Sequence, residues 1–190
     1  EYYPYDPERA AALLDEAGWI DSDGDGVRDR DGASLTLDIV LMGWGYMPEI
    51  GQLMASQWAD LGVAVESRVV SYPEAREIAS EGEYHLIPFT LSGSDPDILR
   101  KFFHSQALFN WSKVEDPEMD AWLEEAARLP DRPERSRLYY QVQHRVMEQA
   151  LVIPVRDYVN LNGVSNRVQG LRFDARGWFP WLIDVTVEAP

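Results

Sequence analysis

The sequence predicts a single α/β domain built on a mixed or substantially parallel β-sheet flanked by helices. Three observations carry this. Helical and strand patterns alternate along the 190 residues, the order that lays helices on the faces of a sheet. No Pro/Gly/Ser-rich linker, internal repeat or low-complexity tract divides the chain. Its 45% hydrophobic and 12% aromatic residues exclude a disordered chain, and its length suffices for one sizeable core or two small ones closely joined.

The first helix is expected from about Pro7 to Ala17. Asp6 is a good N-cap, Pro7 suits the first helical position, and Gly18 is a natural stop. The alternating "SLTLDIVLM" predicts a strand over Leu35 to Leu41. In "MPEIGQLMASQWADLG" a second helix presents Ile50, Leu53, Met54, Trp58 and Leu61 as one apolar stripe, and "VAVESRVV" follows Gly62 as a strand. "SYPEAREIAS" reads as a short helix and "YHLIPF" as a strand. "DPDILRKFFHS" and "DPEMDAWLEEAARL" each open with Asp-Pro, repeating the cap of the first helix. The longest helix is "DRPERSRLYYQVQHRVMEQA", with Leu138, Val142 and Val146 at steps of four. Strands are expected in "LVIPVRDYVNLNGV", "RVQGLRF" and "WFPWLIDVTVE".

A net charge of −16 argues against a nucleic-acid surface and against a peripheral binder of anionic membranes, since both need basic residues in excess. The absence of cysteine excludes disulfides, thiolate metal sites and cysteine nucleophiles. No apolar run approaches transmembrane length. His85, His104 and His144 are far apart and lack H-E-x-x-H spacing, and "LSGSDPD" contains no G-x-S-x-G elbow. There is no Walker loop and no G-x-G-x-x-G. Acid pairs such as Glu124-Glu125 are most simply a solvated helix face. Nothing here indicates an enzyme.

"DSDGDGVRDRDG", Asp21 to Gly32, resembles a twelve-residue calcium loop. Counting Asp21 as position one, Asp23, Asp25, Gly26 and Asp29 fit, but position twelve is Gly32 and a strand replaces the exit helix. The carboxylates, moderated by Arg28 and Arg30, can hold a cation weakly, with Asp21, Asp23 and Asp25 as the candidate ligands. Equally, Asp-Gly pairs supply the positive-φ positions of tight turns. No cofactor is expected; calcium, if it binds, binds weakly.

The order of motifs carries a resemblance. "YDPERAAALLDEAGW", the Asp/Gly-rich turn with its strand, and the "QWADLGVAVE" step are followed by "SDPDILRKFFHS", "FNWSKVEDPEMDAWLEEA", "RSRLYYQVQHRVMEQALVIPV" and "NRVQGLRF". This succession, from about Tyr5 to Val187, resembles the extracellular solute-binding proteins of the dipeptide/oligopeptide class, family 5, which serve ATP-driven importers. The resemblance implies a lobe of the type II periplasmic-binding-protein sort. It implies that this chain is the C-terminal lobe, with an N-terminal lobe, leader and any lipid anchor upstream of Glu1.

Three loops then become candidate walls of a ligand cleft, outside the ends of strands where open α/β sheets bind. The first is "MGWGYMP", with Trp44 and Tyr46. The second is "FTLSGSDPD", with Phe89, Ser92 and Ser94. Peptide-binding members commonly carry Trp where Phe89 stands and an aspartate where Ser92 stands. Ser92 can hydrogen-bond but cannot neutralise a ligand's ammonium. The third is "FNWSK", with Asn110 and Trp111. The expected partners are a small polar solute or oligopeptide, the subunits of an ABC permease, and the protein's own N-terminal lobe. Nucleic acid is not among them, and a membrane is met only through an anchor outside this chain. The expected location is extracellular or periplasmic. The alternative reading is a calcium-stabilised structural or adhesive surface domain.

Overall fold

The computed structural model describes residues 2–130, 132–157, 159, 161–174 and 177–189. The chain forms two compact units, residues 1–91 with 102–116, and residues 92–101 with 117–190.

The first unit opens with helix α1 (Pro7–Glu16), whose N-cap Asp6 accepts from the Arg9 amide at 2.8 Å. A tight antiparallel pair follows, β1 (Asp29–Arg30) with β2 (Ala33–Ser34). Then come β3 (Thr36–Met42), α2 (Met47–Ala59), β4 (Ala64–Val70) and α3 (Tyr72–Glu81). β3 and β4 run parallel in register from Thr36–Ala64 to Met42–Val70, joined by α2 as parallel strands require. Ile39, Val40, Leu41 and Met42 are all buried. That four-residue run reflects cover on both faces of the pair. Val40 and Met42 pack with Met47, Ala75 and Ile78; Leu41, pointing the other way, meets α2 at Gly51.

Of the expected stripe of α2, Ile50, Met54, Trp58 and Leu61 are half-buried and only Leu53 departs. The buried positions of the helix are Met47 and Gly51, whereas Leu53 is 60% exposed. The helix lies so close to β3 that a Cβ on Gly51 would stand 2.6 Å from Leu41 Cδ1. The contact face is therefore marked by its smallest residue.

The expected strand "YHLIPF" is reduced to one parallel bridge, Leu86 to Ile39, on the edge of β3 away from β4. Leu86 accepts from the Val40 amide at 2.9 Å and donates to Asp38 at 3.1 Å. Beyond it Pro88 has no N–H to continue a ladder. Before it the Asp38 amide is taken by His85 Nδ1 at 2.9 Å, an imidazole standing where a neighbouring carbonyl would.

The second unit is organised by an antiparallel helix pair, α5 (Pro117–Arg128) and α6 (Arg132–Glu148). Met119, Leu123 and Ala126 of α5 are buried, as are Leu138, Tyr139, Val142 and Val146 of α6, the last helix keeping its expected steps of four. Arg145 near the end of α6 pairs with Glu118 near the start of α5 at 2.7 Å. The "DPDILRKFF" stretch is a 3-10 turn (Pro96–Leu99) leading into the short α4 (Arg100–Phe103). Asp95 caps it, accepting from the Asp97 amide at 2.8 Å, and also grips both terminal nitrogens of Arg135 at 2.6 and 3.0 Å. Tyr139 donates to Asp97 at 3.1 Å.

The other expected strands are short or missing. Among the described residues of "LVIPVRDYVNLNGV" there is no strand; Tyr158 and Asn160 lie outside them. "RVQGLRF" and "WFPWLIDVTVE" supply four two-residue strands, β5 (Val168–Gln169), β6 (Arg172–Phe173), β7 (Pro180–Trp181) and β8 (Thr186–Val187). They pair antiparallel as β5 with β8 and β6 with β7. Gly170 breaks the first run: at φ 75° it lies so near the Asp184 carbonyl that a Cβ would fall 2.2 Å from its oxygen. The sheet is thus less extensive than the alternation suggested, while the α/β class stands.

Candidate functional site

Beyond the C-terminal end of β3, within the first unit, lies a cavity of about 220 Å³ that opens to solvent. Met42, Trp44, Tyr72, Phe89, Thr90, Phe102, Phe109 and Trp111 line it. Each is brought there by a different local cause. Met42 is the last residue of β3 and Trp44 stands in the turn into α2. Tyr72 opens α3 behind the Ser71 cap. Phe89 and Thr90 follow the Pro88 break in the bridge segment. Phe102 comes from α4, and Phe109 and Trp111 from the loop after it.

Four of the rings close on one another. Phe89 stacks on Phe102 with centroids 4.6 Å apart and planes 12° apart, and Phe102 stacks on Phe109 at 5.7 Å. Trp111 meets Phe109 edge-on at 6.0 Å and Phe89 edge-on at 5.9 Å. Offset stacks and edge contacts are the favoured arrangements of aromatic quadrupoles, each pair adding about 0.5–1.5 kcal/mol beyond burial. Trp111 is 9% exposed, held inside this cluster, whereas Trp44 is 48% exposed at the edge. Among the described residues no carboxylate, lysine or arginine lines the cavity; its polar groups are the hydroxyls of Thr90 and Tyr72 and the indole N–H groups of Trp44 and Trp111.

The loop that presents Trp111 is closed from within. The Asn110 side-chain amide donates to the carbonyls of Ser105 at 3.2 Å and Val114 at 2.8 Å, and its oxygen accepts from the Val114 amide at 3.0 Å. Lys113, in the left-handed region at φ 51°, donates to the Ser80 carbonyl at 2.8 Å. The Tyr84 hydroxyl donates to the carbonyl of Trp111, and its burial raises its pKa above the ordinary phenol value.

Of the residues expected at a ligand wall, Trp44, Phe89 and Trp111 come together here. Tyr46 does not line the cavity; it sits before α2 in the left-handed region and is 70% exposed. Ser92 and Ser94 fall in the second unit and are exposed. Both N–H groups of the Asn110 amide are occupied inside its own loop. The sequence reading missed Phe102, Phe109, Met42, Tyr72 and Thr90. The adjacent aromatics of "FNW" offered a signal for Phe109; nothing local marked the others.

The acidic loop is a network of turns. Asp21 accepts from the amides of Gly24 and Gly26, Asp23 from Asp25, and Asp25 from Val27. Asp29 accepts from the amide and hydroxyl of Ser22, which together hold its carboxyl below the ordinary value. The carboxylates of Asp21, Asp23 and Asp29 approach within 4.8 Å of one another; Asp25, expected as the third, is not in that group. Arg28 does not moderate this loop. It pairs with Asp15 and donates to the carbonyls of Leu61 and Trp19.

Residues 1–109 match the family model "Bacterial extracellular solute-binding proteins, family 5 Middle". The Heme-binding protein A of Haemophilus influenzae is 33% identical over 174 residues, 88% of this chain and 30% of that protein. The Dipeptide-binding protein of Pseudomonas aeruginosa is 27% identical over 179 residues, 89% of this chain and 31% of that protein. The solved structure of HbpA2 from Haemophilus parasuis superposes on 98% of this chain and 36% of that one, with a TM-score of 0.78 at 23% identity, a likeness of fold. The chain thus spans about a third of the length of these relatives. With the match covering more than half of its residues, the chain belongs to the bacterial extracellular solute-binding proteins of family 5.

Proposed function

We propose that the chain is the C-terminal lobe of a two-lobed receptor that captures a solute outside the cytoplasmic membrane and delivers it to an ABC import permease. The observation that carries this is the aromatic cavity at the end of β3, where open α/β sheets receive ligands. The remaining lobe supplies the opposite wall, and closure of the two removes the ligand from water. Trp44, Phe89 and Trp111 are the contact residues on this side. Asn110 holds the Trp111 loop. Tyr46 is an exposed position for a ligand group reaching beyond the cavity, and Ser92 and Ser94 are candidate contacts carried by the second unit. Capture involves no chemistry and no cofactor. Any lipid anchor belongs to the part of the protein outside this chain.

The relatives named for heme and for dipeptides differ in the ligand of their names, which supports a site whose side chains vary from one member to the next. Family membership favours solute capture over a calcium-stabilised adhesive domain. The test is a calorimetric solute screen on the two-lobed protein, repeated with Trp111→Ala. Loss of one stacked, buried ring should weaken binding by about 1–3 kcal/mol. Solute binding that ignores this substitution would place the site elsewhere.

A further inference from the structure

The cavity is small, uncharged and aromatic, and its size says how much of a ligand it takes. Pockets that enclose a whole drug-sized molecule run to about 300–1,000 Å³. An apolar cavity of about 150 Å³ holds one benzene. At about 220 Å³ this one holds a single ring-sized group and leaves the rest of the ligand outside. A charged group entering it would lose its hydration with no counter-charge among the lining side chains.

Just outside that lining stands a cation. Tyr72 lines the cavity from the first residue of α3, and Arg76 follows it by four, on the same face of the helix. The Arg76 guanidinium lies 5.8 Å from the ring centroid of Phe109, another lining residue. It therefore borders the cavity through its contact with Phe109, on the helix face that also carries Tyr72. Arg9, Arg28, Arg68, Arg100, Arg135 and Arg145 each pair with a carboxylate. Arg76 has no ion pair among the described residues, in a chain with 33 acidic residues against 17 basic ones. Rest on an aromatic face leaves the edge of the guanidinium, with its N–H donors, open to an anion. The overall −16 charge opposes an anion only weakly at this point, because the screening length is about 8 Å at physiological salt.

We infer that the cavity seats one uncharged ring-sized group of a ligand that carries an anionic group beside it, with Arg76 selecting the anion. This rests on the cavity belonging to the solute site proposed above. Arg76 is a specificity residue for that site, and the ligand class is an aryl or similarly sized apolar group joined to a carboxylate or phosphate.

Three probes of one shape test it: indole-3-acetate, its neutral amide and tryptamine, titrated into the chain while the indole N–H signals of Trp44 and Trp111 are followed by NMR. The expected order of affinity is acetate, then amide, then amine, with both tryptophan signals moving. Arg76→Gln should reduce the preference for acetate over amide by about three- to tenfold, the range of a partly exposed charge-assisted contact. Arg76→Lys should retain part of it, which separates loss of charge from loss of packing on Phe109. Equal affinity for all three probes, a preference for tryptamine, or binding that leaves both tryptophan signals unmoved would overturn the inference. A natural solute that is cationic or lacks an apolar group, yet is lost in Trp111→Ala, would also overturn it and leave the capture reading intact. Failure of that reading shows differently, as solute binding indifferent to Trp111→Ala.

Discussion

Replacing Asn110 by alanine tests how the Trp111 wall is held. The side-chain amide makes three hydrogen bonds within its loop, at 2.8, 3.0 and 3.2 Å, all partly shielded from water. A typical intramolecular hydrogen bond contributes about 1 kcal/mol net, and stranded partners cost more where water cannot reach them. The longest bond is the weakest and water re-enters part of the site, so Asn110→Ala should destabilise the loop by about 2–3 kcal/mol. With two compact units, a single global unfolding energy is the wrong measure. Hydrogen exchange at the Val114 amide is better, since that group donates directly to Asn110. Its protection should fall about 30- to 150-fold, corresponding to the same 2–3 kcal/mol. Asn110→Asp keeps the acceptor for Val114 but turns an oxygen toward the carbonyls of Ser105 and Val114, and should be at least as damaging. Binding should weaken in both variants through displacement of Trp111. Unchanged exchange at Val114 with an unmoved Trp111 indole signal would refute this account of the loop.

Calcium should leave the melting temperature unchanged at micromolar concentration and raise it only at high concentration. The Asp21–Asp29 carboxylates already accept backbone and Ser22 donors, and the loop lacks a bidentate twelfth ligand; tight calcium binding abolished by Asp23→Ala would contradict this. Gly170→Ala should destabilise the β5–β8 pairing, because the new Cβ would meet the Asp184 carbonyl at 2.2 Å on a backbone of positive φ; loss of amide protection at Gln169 and Val187 would show it. The Asp97 carboxyl is held below its ordinary value of 3.8, first by Arg100 and then by the Tyr139 hydroxyl. The stabilisation is therefore complete above that ordinary value and is lost as pH falls through the lower folded one. Asp97→Asn should lower the melting temperature by a few degrees at pH 7 and converge with the parent chain in strong acid. Trp178, Phe179, Trp181, Leu182 and Ile183 are between 45% and 88% exposed, a patch that favours association. Sedimentation of the isolated chain should show self-association that Trp181→Arg with Ile183→Asp reduces.

Local chemistry made the helices legible in advance. Asp6 with Pro7 and Asp95 with Pro96 act as caps through short-range hydrogen bonds, which need no partner element. The same holds for α6, whose buried residues keep a four-residue step. The acidic loop was legible as either a turn or a weak cation site, and the hydrogen bonds of its aspartates give it the turn geometry. The stripe of α2 was legible at Ile50, Met54 and Trp58 but not at Leu53, because a hydrophobic stripe counts large residues, whereas close approach to β3 selects Gly51. "YHLIPF" was misread because strand propensity does not register the hydrogen-bond positions removed by Pro88 and occupied by His85. Trp44 could be picked out as an aromatic in a loop after a strand, and Phe89 and Trp111 through the resemblance to the family. Their meeting with Met42, Tyr72, Phe102 and Phe109 could not, because it joins residues up to 69 positions apart, from Met42 to Trp111. The cavity and the Arg76 guanidinium at its border therefore belong to the tertiary structure alone: periodicity is a property of neighbours along the chain, and a binding wall is a property of neighbours in space.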